Sequence, residues 1–435
     1  MSAIGISILA IGAMLILLAL RVPLGVALGS VSLTGLFITH GPKAAMGALG
    51  DTPYDFVAHW SLAAIPMFLL MGAVAYHAGL TGSLLRAAKN WLNWLPGGLA
   101  IATTAASAGF AAACGSSIVS VAAMSRLAIP EMIKLGYDKG LAAGCVAAAG
   151  TLAALIPPSI LMVIFGWMAE APIGKLLIAG ILPGLLTAVI YSAMIAVRCT
   201  LDPSLAPRSK ESPSTKEKFE SLAKTWPLIA LMFGVIGGIY TGFATATEAA
   251  ALGALLAFVV ALLTGQLTRT VVRESFLDTL KSSASIFFIV IGAVLLTRFL
   301  ALSGLPMFLA QEVKALDLDP TTLVLCVGAI YLVLGMFLET LGLLLLTLPI
   351  LIPIFKLYNL DMVWMGVLVV KFIEIGMLTP PIGMHVFVIK TTVGSQVSVP
   401  AIFRGLFWFV IADLMTIGLL IFFPAISTWL PSVIE

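Results

Sequence analysis

The chain has 435 residues, of which 61% are hydrophobic and 10% are charged, and its mean hydropathy is +1.14. Soluble domains carry about 25% charged residues, so this composition excludes an ordinary soluble protein and predicts an integral membrane protein. The net charge of +3 is too small to indicate a nucleic-acid partner. The four cysteines and four histidines show no metal-ligand spacing, which argues against zinc or iron sites and indicates reduced, packed thiols.

The first half of the chain contains five hydrophobic runs. A helix that spans a bilayer needs about 20 mostly apolar residues, and on this measure we predict spans near residues 2–20, 22–39, 56–79, 139–169 and 175–198. The first run has no basic region before it and no small-residue cleavage site after it, so we expect a retained span rather than a signal peptide. Residues 97–135 are rich in small residues and are divided by the polar tip "GSS". This pattern predicts a re-entrant helical hairpin packed inside protein.

A hydrophilic linker, residues 199–225, separates the two halves of the chain. Residues 198–224 contain six lysines and arginines, the densest basic run in the sequence: Arg198, Arg208, Lys210, Lys216, Lys218 and Lys224. Basic loops favour the cytoplasmic side of a membrane, so the linker is predicted to be cytoplasmic. Five spans on each side of it then place both termini outside.

The second half offers the same order of elements. Spans are predicted near 227–242, 246–263, 284–302 and 401–428, with a second hairpin near 322–355 and a broken helix near 362–389. The sequence thus predicts an all-α polytopic membrane protein made of a first repeat, residues 1–198, and a second repeat, residues 226–435. Five spans in each repeat turn the second repeat upside down relative to the first, a plan found in secondary transporters.

Two proline pairs mark the broken helices. Pro157 and Pro380 begin these pairs and are 380 − 157 = 223 residues apart. Each pair follows a polar turn by 40 residues, since 157 − 117 = 40 and 380 − 340 = 40. Proline in a helix interior removes a hydrogen bond and clashes with the preceding turn. The repeated spacing therefore predicts two paired sites, each with a hairpin tip facing a helix break.

Helix breaks at membrane depth leave carbonyl groups at one end and amide N–H groups at the other, and Na⁺ prefers carbonyl and hydroxyl oxygens. The predicted Na⁺ sites are Gly115, Ser116 and Ser117 facing Gly150, Leu155 and Pro157, and Glu339 and Thr340 facing Gly376, Leu378 and Thr379. Ser116 and Thr340 are also candidates for contact with the substrate. The alternative is that the prolines only kink structural helices and that the hydroxyls bond back to their own turns.

Ionisable residues inside apolar runs are candidates for function. One hypothesis is that Arg298 attracts a carboxylate substrate. The alternatives are that its side chain extends to the membrane–water interface or that it pairs with a neighbouring acidic side chain. Lys371 and Glu374, three residues apart, are interpreted as a structural ion pair, and Asp413 is left unassigned. Thr245 and Glu248 fit a helix-capping box, which favours a structural role for that glutamate.

Four stretches carry a family resemblance: "GGIYTGFATATEAAALGAL", "GSSIVSVAAMSRLAIPEM", "GYDKGLAAGCVAAAGTLAALIPPSI" and "GKLLIAGILPG". Together they resemble the large membrane subunit of tripartite ATP-independent periplasmic (TRAP) transporters, and the similarity runs over essentially the full chain. The resemblance implies Na⁺-driven uptake of an organic acid, usually a carboxylate, across the bacterial inner membrane. It also implies two partners, a periplasmic substrate-binding protein and a smaller four-span membrane subunit, expected here as a separate chain.

The resemblance further implies an elevator mechanism, in which the hairpins and broken helices move as one transport domain. It implies Na⁺ binding at the positions named above, and no enzymatic cofactor. Two alternatives stay open. A single-component Na⁺-coupled carboxylate symporter would need no binding protein. An intramembrane enzyme would need paired carboxylates or a His/Asp cluster on sizeable loops, which the sequence lacks, and a passive channel would have no need of twin ion sites.

Overall fold

A computed structural model describes residues 2–207 and 213–433, and the regular structure within these ranges is entirely helical. Seven helical segments of the described residues are long and apolar enough to span a membrane, or nine if each of two bent helix pairs is taken as one span; two of the seven, Trp60–His77 and Ile173–Leu201, each join two consecutive helices. The prediction of an all-α polytopic membrane protein is confirmed. Two basic positions of the predicted linker, Arg208 and Lys210, lie outside the described residues.

The first half begins with helices that flank the predicted hairpin. In chain order the helices are α1 (Ala3–Ala19), α2 (Leu24–Val57), a short 3-10 helix (Trp60–Ala63), α3 (Ala64–His77), α4 (Thr81–Leu92), α5 (Gly98–Cys114), α6 (Ser117–Lys134), α7 (Lys139–Gly150), α8 (Leu152–Leu155), α9 (Ile160–Ala169), α10 (Ile173–Ala179) and α11 (Ile181–Leu201).

The second half follows a linker that contains a helix of its own. The helices are α12 (Thr215–Ala223), α13 (Trp226–Tyr240), α14 (Ala246–Leu263), α15 (Arg269–Ser303), α16 (Leu305–Ala315), α17 (Pro320–Gly335), α18 (Thr340–Leu357), α19 (Met362–Leu378), α20 (Met384–Val393), a short 3-10 helix (Gly394–Gln396), α21 (Val399–Phe422) and α22 (Ala425–Ser432).

The two interrupted segments are each a pair of helices separated by a short break. Helix α5 ends at Cys114 and α6 begins at Ser117, while α17 ends at Gly335 and α18 begins at Thr340. Corresponding helices keep a nearly constant spacing, since 340 − 117 = 223 for α6 and α18, and 362 − 139 = 223 for α7 and α19. This is the order that the sequence predicts for two repeats. The duplication, its inversion and the re-entrant path of the hairpins stay predictions.

Several elements differ from the sequence prediction. Helix α2 continues to Val57 because the chain resumes helical geometry after Gly41, whose φ of 82° marks a kink before Pro42. Helix α15 begins at Arg269, fifteen residues before the predicted span, because the polar first turns continue the same helix. Helices α4 and α16 were not predicted because their polar faces interrupt the hydrophobic runs. Helix α12 lies inside the linker and begins with a capping box between Ser214 and Glu217.

The hairpins and broken helices of the two halves pack against each other. Helix α6 of the first hairpin contacts both α7 of its own half and α20 of the second half. Helix α18 of the second hairpin contacts α19 and also α9 of the first half. Close approach is achieved with glycine: a Cβ on Gly376 would lie 2.7 Å from the Cα of Gly335. The two predicted sites are therefore built from one interlocked group of helices.

Candidate functional site

The tip of the first hairpin lies against the first helix break. Gly115 adopts φ of 62°, a left-handed conformation suited to glycine, and a Cβ there would lie 2.6 Å from the carbonyl oxygen of Pro158. The Ile160 amide donates to the Gly115 carbonyl at 3.4 Å, and a Cβ on Gly150 would lie 3.4 Å from the Ser117 carbonyl oxygen. The structure thus brings the predicted tip to the predicted break.

Leu155 and Pro157, the other predicted first-site residues, are fully enclosed by protein. The carbonyl oxygen of Leu155 lies against the backbone of Gly180, where a Cβ would approach it to 2.0 Å. Leu155 is the last residue of α8, so its carbonyl lies at the C-terminal end of the helix, where carbonyl groups lack helical partners. The break is therefore shielded by α11 on one side and by the hairpin on the other.

The tip of the second hairpin lies against α19. The Thr340 hydroxyl is 3.6 Å from the Met377 sulfur, one residue from the predicted Gly376 and Leu378. Thr379 Oγ1, in contrast, donates to the carbonyl of Ile375 at 2.8 Å, so this hydroxyl bonds back to its own turn as the structural alternative describes. Thr340 is buried and Glu339 is partly exposed at the N-terminal cap of α18.

Both hairpin tips line one cavity of about 370 Å³. The first half contributes Gly115, Ser116 and Ser117, and the second half contributes Glu339 and Thr340. The long helix α15 completes the wall with Lys281, Ser282 and Ser285, together with apolar residues from α3, α8 and α9. These three polar side chains are not among the predicted site residues, although "KSSAS" at the edge of an apolar run is a visible signal in the sequence.

The cavity wall carries groups that favour an anion as well as groups that favour a cation. Helix α6 begins at the cavity, and the Ser116 side chain forms no cap on its first amides, so N–H groups at a helix N-terminus adjoin the cavity and favour an anion. Lys281 adds an exposed positive charge. Glu339 supplies a carboxylate, and the hydroxyls of Ser117 and Thr340 are neutral oxygen ligands of the type that Na⁺ prefers.

Two pairs of ionisable side chains lie buried behind the first hairpin tip. Lys371 Nζ donates to Asp413 Oδ1 of α21, and both side chains are fully buried. Glu374 Oε1 accepts from the Ser117 hydroxyl at 3.0 Å, and its Oε2 lies 3.8 Å from His385 Nε2. The interpretation of Lys371 and Glu374 as an ion pair is wrong, because each binds a partner on another helix.

Other predicted side chains lie apart from this cavity. Arg298 is exposed on α15 and is absent from the cavity wall. The capping box of Thr245 and Glu248 is confirmed, since each side chain bonds the other residue's backbone amide. Cys326 is exposed rather than packed, whereas Cys114, Cys145 and Cys199 are buried and all four are free thiols.

A larger cavity of about 870 Å³ lies between Trp60, Trp167 and Thr245, and none of the predicted site residues lines it. Among residues 2–207 and 213–433, no cluster of three or more His, Cys, Asp or Glu side chains has the geometry of a metal site.

Comparison with known proteins gives the family. The profile described as "Tripartite ATP-independent periplasmic transporter, DctM component" matches residues 11–426. The chain belongs to this family. It is 31% identical to the C4-dicarboxylate TRAP transporter large permease protein DctM of Vibrio cholerae over 98% of this chain and 97% of that protein. The corresponding protein of Pseudomonas aeruginosa is 35% identical over 87% of this chain and 88% of its own length.

Other relatives in this family are named for other substrates. One is the sialic acid TRAP transporter large permease protein SiaM of Vibrio cholerae, which is 30% identical to this chain over 95% of its length and 96% of the length of SiaM. The Alcanivorax borkumensis YdaH transporter shares the fold with a TM-score of 0.67 and 14% identity, over 98% of each chain. Family and fold place this TRAP large permease among membrane transporters and not among enzymes.

Proposed function

We propose that this TRAP large permease uses an inward Na⁺ gradient to take up an organic acid across the bacterial inner membrane. The observation that carries the proposal is the shared cavity, in which the tips of both hairpins meet the first broken helix and polar groups of α15. A transporter that couples two solutes needs binding groups for both near one moving unit. The cavity combines cation-binding oxygens with a helix N-terminus and a lysine.

We propose that Na⁺ binds at the two junctions of hairpin and broken helix. Broken ends at α8 and α19 supply main-chain carbonyls, and Ser117 and Thr340 supply hydroxyls. These are hard, neutral oxygen ligands, and their burial raises the cost of leaving them without a partner. The proposed donors are Gly115, Ser116, Ser117, Gly150, Leu155 and Pro157 for the first site, and Glu339, Thr340, Gly376, Leu378 and Thr379 for the second.

The substrate is proposed to be a carboxylate that enters the shared cavity. Its negative charge would be stabilised by the first amides of α6 and by Lys281, which lines the same wall. Ser116 and Thr340, which line the same cavity, are proposed to donate hydrogen bonds to it. Arg298 lies outside the cavity wall in this structure, so a role for it would require a different arrangement of the helices.

Transport is proposed to follow an elevator mechanism in an inverted repeat. The contacts of α6 with α20 and of α18 with α9 tie the elements of both halves into one body, as a jointly moving transport domain requires. Orientation follows from the basic linker, proposed to lie in the cytoplasm, with both termini outside. If both hairpins are re-entrant, their tips would lie within the membrane, at the depth of the shared cavity that they line.

Two protein partners complete the proposed system, a periplasmic binding protein that delivers the acid and a four-span membrane subunit. A named relative supports the second partner: the isethionate TRAP transporter permease protein DctMQ of Oleidesulfovibrio alaskensis is 31% identical over 87% of this chain, yet only 59% of that protein is covered. The uncovered part of that longer protein leaves room for a second membrane component.

The test is uptake of labelled organic acids into proteoliposomes that contain this chain and its small partner. Four conditions combine an inward Na⁺ gradient, or its absence, with the binding protein, or its absence. We expect uptake only when both are present. Uptake with Na⁺ alone would identify a self-sufficient carboxylate symporter, and uptake that ignores Na⁺ in the presence of the binding protein would overturn the proposed coupling.

A further inference from the structure

Four polar side chains from α3, α6 and α15 form a cluster outside the shared cavity. Arg126 on α6 donates from Nη1 to the Tyr76 hydroxyl on α3 at 3.3 Å. The next residue of α3, His77, has its Nε2 2.7 Å from Asp278 Oδ2 on α15. The rings of Tyr76 and His77 are in edge contact, with centroids 5.2 Å apart. These four residues, which we call the polar cluster, join three helices at one point.

The polar cluster lies two helical turns from the cavity wall on each of the three helices. On each helix, one cavity-lining residue and one cluster residue are 7 positions apart: Leu69 and Tyr76, Val119 and Arg126, and Ser285 and Asp278. Residues at this separation lie on one face of an α-helix, about 10 Å apart along its axis. Matching faces of three helices therefore lead from the cavity to the polar cluster.

A groove lies between the cavity and the polar cluster. Helix α3 packs against α15, whereas α6 packs mainly against α5, α7 and α20. On the faces that lead to the polar cluster, Ala73 of α3 and Ala122 of α6 are partly exposed, and Lys281 of α15 is exposed. These three residues define the groove. Its small side chains on α3 and α6 leave space beside the lysine.

Arg126 is the uncompensated charge of the groove. Within residues 2–207 and 213–433 it forms no ion pair, and its hydrogen bond goes to an uncharged phenol. Asp278 bonds His77 and lies one turn from Lys281 on α15, so the charges of Asp278 and Lys281 partly offset each other. A surface with an excess of positive charge attracts anions.

The geometry of Arg126 suits an anionic ligand. An ionisable side chain on a membrane helix faces water or a partner rather than lipid. The bond to Tyr76 uses one N–H group and leaves the other donors of the guanidinium free. Such a planar fork matches the two oxygens of a carboxylate. Because Arg126 and Ser117 share α6, one helix connects this charge to the hairpin tip.

The polar cluster lies on the side of the molecule that carries the linker. Helix α3 ends at the cluster and leads into α4. Lys89 of α4 bonds Glu131 of α6 at 2.9 Å, beyond Arg126 along that helix. The Trp91 indole of α4 donates to the Lys218 carbonyl of the linker helix α12 at 3.1 Å. The outer end of the groove therefore faces the side proposed to be cytoplasmic.

We propose that the groove is a water-filled path for an anion between the shared cavity and the linker side of the membrane, with Arg126 as the anion-binding residue at its outer end. That this anion is the transported carboxylate rests on the proposed function. The water in the groove and its preference for anions are properties of the resting protein.

The first test is the reactivity of single cysteines in proteoliposomes that contain this chain and its small partner. The background lacks the four native cysteines, and the reagent is sulfonatoethyl methanethiosulfonate, which is small, anionic and membrane-impermeant. Ala73→Cys and Ala122→Cys should react from the side on which Lys216→Cys of the linker reacts. Leu255→Cys of α14, 60% exposed on an apolar helix, should react from neither side because it faces lipid.

Two results of this test would overturn the path. One is that Ala122→Cys is as unreactive as Leu255→Cys, which would mean that its exposed surface faces lipid. The other is reaction from the side opposite to Lys216→Cys. The reference is the linker itself, so the test holds whichever way the protein lies in the bilayer.

The second test measures the charge preference of the groove. The reaction rate of Ala122→Cys with the anionic reagent is divided by its rate with the cationic trimethylammonium-ethyl methanethiosulfonate. Arg126→Gln should lower this ratio about tenfold, because a positive charge one helical turn away is lost. Arg126→Lys retains the charge and should retain the ratio. Arg404→Gln, at an exposed position of α21, is the control and should also retain it.

An unchanged ratio in Arg126→Gln would overturn the role of Arg126. An equal loss in Arg126→Lys would overturn it as well, because the effect would then follow from altered structure rather than from charge. Neither test requires uptake, a binding protein or a known substrate. Their failure is therefore separate from failure of the proposed Na⁺ coupling.

Discussion

Ser117 and Thr340 begin corresponding helices, yet their hydroxyls bind acceptors of different strength. Ser117 donates to a carboxyl oxygen of Glu374 at 3.0 Å, whereas Thr340 lies 3.6 Å from the sulfur of Met377. A thioether is a weak acceptor, so the Thr340 hydroxyl is the easier of the two to redirect toward a cation. The two proposed Na⁺ sites are therefore chemically unequal, although their spacing in the sequence is the same.

The residue types of the site were predictable, but several partners were not. The sequence shows Gly-Ser-Ser and Glu-Thr tips because polar residues stand out in apolar runs. It cannot show that Lys371 binds Asp413, 42 residues later, because the helical spacing points instead to Glu374. That pairing depends on the packing of α19 against α21, which is tertiary.

The Lys371 and Asp413 pair gives a prediction for stability. Lys371→Met should destabilise the protein by about 3–5 kcal/mol, because it leaves a buried carboxylate unpaired. The double variant Lys371→Met with Asp413→Leu should recover most of the loss, since an apolar pair needs no compensation. Thermal unfolding in detergent measures both.

The control for this prediction is the exposed pair of Lys356 and Glu170, 3.5 Å apart. Lys356→Met should cost less than about 1 kcal/mol, because solvent screens the pair. An equal effect of Lys356→Met and Lys371→Met, or a double variant no better than the single one, would show that burial of the charge is not what makes Lys371 important.

At the scale of the elements, breaks and periodicity predicted most helices. Proline pairs and polar tips indicate where α7 to α9 and α5 to α6 are interrupted, because both features disturb a helix locally. The full length of α15 could not be predicted from hydropathy, because its first turns are polar and simply continue the helix of the apolar span that follows. Amphipathic α4 and α16 were missed for the same reason. The polar residues that α15 contributes to the cavity wall, Lys281, Ser282 and Ser285, were therefore not predicted either.

Glycine packing between α17 and α19 gives a prediction at this scale. Gly376→Ala should destabilise the protein by about 1–3 kcal/mol, because its Cβ would meet backbone atoms of Gly335 and Tyr331 at 2.7 to 3.1 Å and force the helices apart. Gly418→Ala on α21 is the matched control, since no atom lies within 4 Å of the added Cβ. The melting temperatures of the two variants are the measurement. A Gly376→Ala variant that melts at the same temperature as Gly418→Ala would contradict tight packing at the second break.

At the scale of the whole molecule, the halves share an order of helices and meet in one cavity. Composition alone predicts membrane insertion, because a 61% hydrophobic chain cannot hide its apolar surface in a soluble fold of this size. The contacts of α6 with α20 and of α18 with α9 could not be predicted, because they join segments more than 170 residues apart in the sequence. Orientation in the bilayer rests on the basic linker.

Orientation is tested by labelling single cysteines in intact cells with a membrane-impermeant maleimide. The background variant lacks all four native cysteines, including exposed Cys326. Lys216→Cys in the linker should react only after the cells are opened, and Val433→Cys at the C-terminal end should react in intact cells. Both positions are exposed. The reverse pattern, or labelling of both sites from outside, would contradict the five-span halves.

The central claim is that Na⁺ binds where the hairpin tips meet the broken helices, and radioactive Na⁺ binding to the purified protein tests it most directly. The double variant Ser117→Ala with Thr340→Ala should bind Na⁺ about tenfold more weakly, since each lost ligand to a charged group is worth about 1.5 kcal/mol or more. Ser192→Ala with Thr391→Ala is the control, because those hydroxyls bond back to their own helices, and it should bind as the wild type does. Unchanged Na⁺ affinity in the first double variant would contradict the assignment of the site.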